Sequence, residues 1–290
     1  MVQERPGFDP EGSVKDRGPV AGFFISGWTN LVRMMASNAL YIIFNIPAIV
    51  LACFLSMIFV PWIAPSLIDV SSYIDPVTGS DEAVFELYFL LVLFTLSFLV
   101  SSALICIGPF QTGFARVYKD IGNNTSVSFF SSFKAGLAEN WKNGLAAMFI
   151  GIFITPVLLL ATGFYLNFKT ALGTVIGIVF IVLLFAFVLV QNFVYSMIVS
   201  TDLKLGKIYK NAVLFLLIRF VPCLGAFLVV FIFYFVIPFF LLMSASYLTL
   251  GIFIFLYSFI VISWVQYFLS FFTGGLINRY VAEGKDTSED

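Results

Sequence analysis

Charge-free apolar runs constrain this chain more than any other feature. Of its 290 residues 61% are hydrophobic, against 15 Lys or Arg and 16 Asp or Glu. The charges fall in short islands that separate apolar runs of roughly 20 residues or more, the length a helix needs to cross a hydrocarbon core about 30 Å thick. A helix also satisfies its own backbone hydrogen bonds, which lipid cannot do. The expected fold is therefore all-α, a polytopic membrane helix bundle in the cell membrane, with the lipid bilayer as its first partner. Almost the whole chain is committed to the membrane, which leaves no room for a separate soluble catalytic domain. The expected organisation is a polar, disordered N-terminal arm over 1–20, a single transmembrane domain over 21–280 and an acidic C-terminal tail over 281–290. The arm lacks the basic n-region, short apolar core and small-residue cleavage site of a secretory signal.

The pattern predicts about six spans, at 38–61, 84–107, 144–165, 171–199, 212–243 and 247–272. The fourth and fifth are longer than a crossing needs, so tilt or extension beyond the bilayer is expected. Ahead of the first, Phe23, Phe24, Trp28, Leu31, Val32 and Met35 share one helical face, which suits an interfacial helix. Basic residues set the orientation. Arg5, Lys15, Arg17, Arg33, Arg116, Lys119, Lys134, Lys142, Lys204, Lys207, Lys210, Arg279 and Lys285 all fall on one side of this topology, and only Lys169 falls on the other. Basic loops stay in the cytoplasm, so the spans run N-in and C-in, a multi-pass protein with both termini cytoplasmic. The main external loop is then 62–83, turn-rich and acidic; it reads as solvated, with cation or partner binding as the alternative.

A hairpin repeat is faintly visible. The first, third and fifth spans open on Asn38, Asn143 and Asn211 and then carry Pro47, Pro156 and Pro222. Internal repeats are frequent in transporters, although Asn at a cytoplasmic helix start is also ordinary interface chemistry.

Several chemistries are excluded or disfavoured. The chain has no His, which removes His-based haem or metal ligation and Ser-His-Asp or Cys-His catalysis. Cys53, Cys106 and Cys223 lie inside predicted spans without C-x-x-C spacing and read as small packing residues. Phe, at 37 residues, reads as lipid-facing and packing surface rather than a ligand box. No carboxylate lies deep in a span, so no enzyme activity, no cofactor, no metal site and no nucleic acid partner are expected.

Polar groups at membrane depth are the first candidates for function. Asn45 precedes Pro47, whose missing amide proton loosens the first span. Gln191 and Asn192 lie in the fourth span and Gln266 in the sixth. Arg219, three residues before Pro222, is the only basic residue well inside a span. It either snorkels to the cytoplasmic headgroups or faces the bundle interior as an anion-binding or paired group. Asn45, Gln191, Asn192, Arg219 and Gln266 thus form the candidate intramembrane polar site, with interhelical hydrogen bonding as their simpler role.

The cytoplasmic segment 108–142 is the richest. Gly108-Pro109 closes the second span, and 110–118 continues as a basic helical patch. Ser128 is placed to cap a helix from Phe129 to about Lys142. There Phe129, Phe133, Leu137 and Trp141 recur every four residues as one apolar stripe. This amphipathic cytoplasmic helix between spans two and three would either rest on the membrane surface or dock a cytoplasmic or membrane protein partner.

Asn45-Ile-Pro47, Ile107-Gly-Pro-Phe-Gln-Thr-Gly-Phe-Ala-Arg-Val-Tyr118, Ser128-Phe-Phe-Ser-Ser-Phe-Lys134 through Asn140-Trp-Lys142, and Lys210-Asn-Ala212 before a span together resemble the YesL-like family. That is a bacterial, largely Gram-positive family of integral membrane proteins with a domain of unknown function. The resemblance covers roughly residues 25–280, and its specificity lies in the order of the motifs. The long stretch between Pro47 and Gly108 departs from the family pattern. Association of the family with carbohydrate-utilisation genes implies a transport-related role, as an accessory or a small permease in carbohydrate uptake. It implies no reaction, cofactor or catalytic residue. A membrane scaffold that docks a cytoplasmic partner through 108–142 is the alternative function.

Overall fold

The computed structural model describes residues 18–63, 106–123, 125, 128–168, 170–243 and 247–282. The predicted second span up to residue 105, the external loop from residue 64, the N-terminal arm up to residue 17 and the acidic tail from residue 283 lie outside the described residues.

Among the described residues all regular structure is helical. In chain order come α1 (Pro19–Thr29), α2 (Leu31–Ile63), α3 (Gly108–Gly122), α4 (Phe129–Leu166), α5 (Ala171–Ile198) and α6 (Leu205–Ile218). Then α7 (Phe220–Phe231) passes through a π-helical turn, Ile232–Val236, into α8 (Ile237–Met243), followed by α9 (Tyr247–Phe259) and α10 (Val261–Ile277), which ends in a second π-helical turn, Asn278–Ala282. Among the described residues four helices are long and apolar enough to cross a membrane: α2, α4, α5 and Phe220–Leu241. The α9–α10 pair, bent by 45°, makes a fifth if it is one crossing. Five of the six predicted spans fall on these helices.

Local chemistry sets most of the ends. Ser128 caps α4, its Oγ accepting from Ser131 N–H at 3.4 Å, and Thr170 caps α5, its Oγ1 accepting from Gly173 N–H at 3.1 Å. Pro19 and Pro109 occupy the first turns of α1 and α3, where a missing N–H is harmless. Pro47, Pro61 and Pro156 sit inside α2 and α4 without ending them.

Four expectations are corrected. The interfacial segment 23–35 is not one helix, because the chain turns at Asn30 and α2 begins at Leu31. The separate amphipathic helix over 129–142 does not exist as such: it runs straight into the following span as the 38-residue α4, about 57 Å long at 1.5 Å per residue. Nothing at Asn143-Gly144 stops it, since a lone glycine weakens a helix by only about 1 kcal/mol. The predicted fifth span, 212–243, is broken at Arg219 (φ −117°, ψ 45°). Pro222 has no N–H to offer Ile218 O, and its ring collides with that carbonyl in a continuous helix, so α6 ends at Ile218 and α7 restarts with the proline in its first turn.

The fourth correction concerns 110–118, expected as a basic helical patch continuing from the second span. Here α3 is a central helix, with Gly108, Gln111 to Ala115, Val117, Tyr118 and Ile121 buried. It crosses α4 at backbone contact. A Cβ added to Gly108 would lie 1.9 Å from Gly144 O, and one added to Gly136 would lie 2.8 Å from Thr112 O. Ser132, Gly136, Gly144, Ala147, Gly151 and Thr155 make the buried seam of α4, the small-residue interface that lets helices pack closely where lipid removes the hydrophobic drive. From Val188 to the end of α5 every residue is buried, whereas Leu172, Val175, Ile178 and Val182 in its first half are exposed.

Side-chain ties identify the two ends of the bundle. At one end Arg33 Nη1 donates to Thr125 O at 3.1 Å, and Lys119 Nζ donates to Val199 O at 2.9 Å, where it complements the C-terminus of α5. At the other, Asn167 Nδ2 at the end of α4 donates to Trp62 O in the last turn of α2 at 2.9 Å.

Candidate functional site

The bend between α9 and α10 is held by a residue from another helix. At Ile260 (φ −128°, ψ −60°) the regular ladder fails; Tyr257 O and Ser263 N–H, which Val261 N–H and Phe259 O would satisfy in a continuous helix, need other partners. Asn38 of α2 supplies both. Its Nδ2 donates to Tyr257 O at 2.7 Å, and its Oδ1 accepts from Ser263 N–H at 2.8 Å. Asn38 is fully buried. Beside it, Ser37 Oγ donates to Tyr118 OH at 2.9 Å, and Tyr118 OH donates to Ser263 Oγ at 3.3 Å. One turn further along α10, Gln266 Oε1 accepts from Gln111 Nε2 at 3.1 Å, and Gln266 Nε2 approaches Tyr234 OH at a long 3.5 Å. Tyr257 OH donates to Phe233 O in the π-helical turn. Polar groups from α2, α3, the π turn and α10 thus meet around an interrupted span.

The five polar candidates are not brought together. Asn45 is buried; its Nδ2 donates to Tyr41 O at 2.9 Å and its Oδ1 accepts from Ile107 N–H at 3.0 Å, which ties α2 to the start of α3. Gln191 joins α4 to α6, with Nε2 donating to Ala147 O and Oε1 accepting from Tyr209 OH, both at 2.8 Å. Asn192 Nδ2 returns to Val188 O of its own helix at 2.9 Å. Gln266 belongs to the network above. Arg219, at the α6–α7 break, is half-buried rather than deep inside a span; its Nε donates to Tyr280 OH, and its guanidinium carbon lies 5.3 Å from that ring's centroid.

The apolar stripe on α4 divides. Four residues turn a helix about 40° past a full revolution, so a spacing of four drifts around it. Phe129 is buried, Phe133 and Leu137 are half-buried, and Trp141 is 48% exposed. The Phe133 ring stacks on Phe44 of α2 at 5.6 Å and lies 4.9 Å from Phe114 of α3. These residues are an internal seam. The outward apolar groups of this stretch are Trp141 and Phe130, 71% exposed. Arg116 loosely joins α3 to α4, 3.6 Å from Asp120 and 3.6 Å from Glu139. Burial pushes the Lys119 ammonium below the ordinary lysine range, and the neighbouring Arg116 charge adds to the effect.

A second feature is a groove of about 640 Å³ between α1, α7 and α10. Phe23, Phe24, Phe233, Trp264 and Phe268 are among its apolar walls, and Arg219, Arg279 and Tyr280 stand at one end. Phe23 stacks on Tyr267 at 4.9 Å, which fixes α1 against α10. Among the described residues no cluster of three or more Cys, Asp or Glu is arranged to hold a metal. Sequence reasoning missed Asn38, Tyr118, Ser263, Gln111 and the Arg279–Tyr280 end of the groove. Asn38 reads from the sequence only as the start of the first predicted span, and no Pro or Gly near 260 marks the bend it serves.

No family model, curated protein or solved structure matches the chain.

Proposed function

We propose that the protein is a transport-related integral membrane protein, an accessory to a permease rather than an autonomous one. The observation that carries this reading is the commitment of its buried amides. Asn38, Asn45, Gln191, Asn192 and Gln266 each bond to other parts of the chain, and all but Asn38 were the groups a polar solute would need. The groove, by contrast, is walled by apolar side chains. The interrupted α9–α10 crossing supports a transport context, since discontinuous helices recur in transporters. Carbohydrate is the substrate class that the YesL-like resemblance adds. In this reading the chain crosses the membrane about six times with both termini cytoplasmic, and the end marked by Arg33, Lys119 and Val199 is the inner one.

The experiment is a deletion in the native host, grown on a panel of single sugars, with in-membrane crosslinking and mass spectrometry of co-purifying proteins. Slower growth on at least one sugar together with recovery of a permease subunit is expected. Unchanged growth on every sugar with no transporter recovered would reject the proposal. Purified protein in liposomes should leave sugar-driven reswelling, followed by stopped-flow light scattering, at the rate of empty vesicles; acceleration would make it a permease in its own right.

A scaffold role is the second reading, and the exposure of Phe130 and Trp141 favours it. Its docking surface contracts to the outer face of 129–142, because α3 is buried. Photocrosslinkers at Phe130 and Trp141 that recover lipid alone would remove it.

A further inference from the structure

We propose that the groove between α1, α7 and α10 is a binding site for one anionic phospholipid, independent of the transport reading. Its composition is divided as an amphiphile requires. Val20, Phe24, Val229, Phe233, Val265 and Phe268 line its apolar part. At the far end of α10 the π-helical turn presents Arg279 and Tyr280, and the α6–α7 break delivers Arg219 to the same place. Both guanidinium carbons lie over the Tyr280 ring, at 5.3 Å for Arg219 and 5.9 Å for Arg279. Two like charges held around one ring repel each other, and neither forms an ion pair with any described residue. A phosphodiester between them would neutralise that repulsion, and the planar guanidinium fork suits phosphate oxygens.

The dimensions agree with a lipid rather than a free ion. From Arg279 to Val265 is fourteen helical residues, about 21 Å along α10, enough for a headgroup and the roughly 15 Å of one leaflet's hydrocarbon. The volume, about 640 Å³, lies within the roughly 300–1,000 Å³ of small-molecule sites. Basic pockets between membrane helices are where anionic headgroups bind. Gly275 keeps the groove open beside the cations, since a Cβ there would meet no atom within 4 Å.

The test uses full-length protein in mild detergent, titrated with dioleoyl phosphatidylglycerol or dioleoyl phosphatidylcholine, with retained lipid counted by native mass spectrometry. Wild type should retain phosphatidylglycerol at least fivefold over phosphatidylcholine. R219Q/R279Q should bring the ratio to about one while its elution profile and melting temperature without added lipid stay those of wild type. G275W, which fills the groove beside the cations and leaves both arginines, should lose retention as well, and R219K/R279K should retain more than R219Q/R279Q. Equal retention of the two lipids by wild type, or an undiminished preference in R219Q/R279Q, overturns the proposal. Two other outcomes also overturn it. Displacement of the lipid by millimolar inorganic phosphate would make the site one for a free anion. A preference that appears only in E283Q/D286N/E289Q/D290N would assign the arginines to the chain's own acidic tail.

Discussion

Gly108→Ala tests the central packing claim, that α3 and α4 cross at backbone contact. The added methyl carbon would stand 1.9 Å from Gly144 O, 2.6 Å from Gly144 C and 2.9 Å from Met148 Cβ. Ordinary contact begins near 3.4 Å, so the helices must part by the difference, 3.4 − 1.9, about 1.5 Å, and no rotamer change can relieve a clash with a carbonyl. Overpacking of this kind costs about 1–3 kcal/mol and at times more. The gain in helix propensity from Gly to Ala, at most about 1 kcal/mol, is small at the first turn of α3. The net expectation is a loss of about 2 kcal/mol, or roughly 4–8 °C in Tm. Intrinsic-fluorescence melting of detergent-purified protein reads it. Gly225→Ala is the control: it lies exposed on α7 with nothing within 4 Å of its added Cβ, so its Tm should hold or rise slightly. Gly144→Ala meets Gly108 O at 2.8 Å and should also destabilise, but the double variant should lose less than the sum, because the helices need part only once. A G108A melting point equal to wild type would refute the close crossing.

Asn38→Leu leaves Tyr257 O and Ser263 N–H without their partner at the bend, and at about 1–3 kcal/mol per unsatisfied buried group it should lower Tm more than Asn192→Leu, whose amide only returns to its own helix; hydrogen exchange should rise first around 257–263. Tyr209→Phe removes one hydrogen bond to Gln191 and should cost about 0.5–1.5 kcal/mol, whereas Gln191→Leu also strands Ala147 O and should cost more, both read by the same melts. A single cysteine at Ser131 in a background lacking Cys53, Cys106 and Cys223 should resist an impermeant maleimide in intact cells and react after lysis; labelling in intact cells would reverse the orientation drawn from the basic residues.

What was legible in the sequence was whatever lipid enforces locally. A charge-free run must be a helix, and Ser128 caps α4 as its position before Phe129 indicates. What escaped was the depth and company of polar helices. The segment 108–122 reads as surface because it holds Gln111, Thr112, Arg116, Lys119 and Asp120. In the fold Gly108, Gly113 and Thr112 meet α4, its aromatics meet α2 and α10, and Arg116, Lys119 and Asp120 remain half exposed. Hydropathy averages over a helix and cannot register that a small residue every fourth position admits a neighbouring backbone. The same averaging merged α6 and α7 into one span, although Pro222 already carried the reason for their separation.

The two breaks differ in kind. At Arg219 the interruption has a local cause in Pro222, which cannot donate to Ile218 O, and lies beside the exposed Tyr280. At Ile260 no proline or glycine forbids a continuous helix. The bend persists because Asn38 offers Tyr257 O and Ser263 N–H partners as good as those they lose. Asn38→Leu should therefore loosen the chain at 257–263, where no local sequence feature holds the bend.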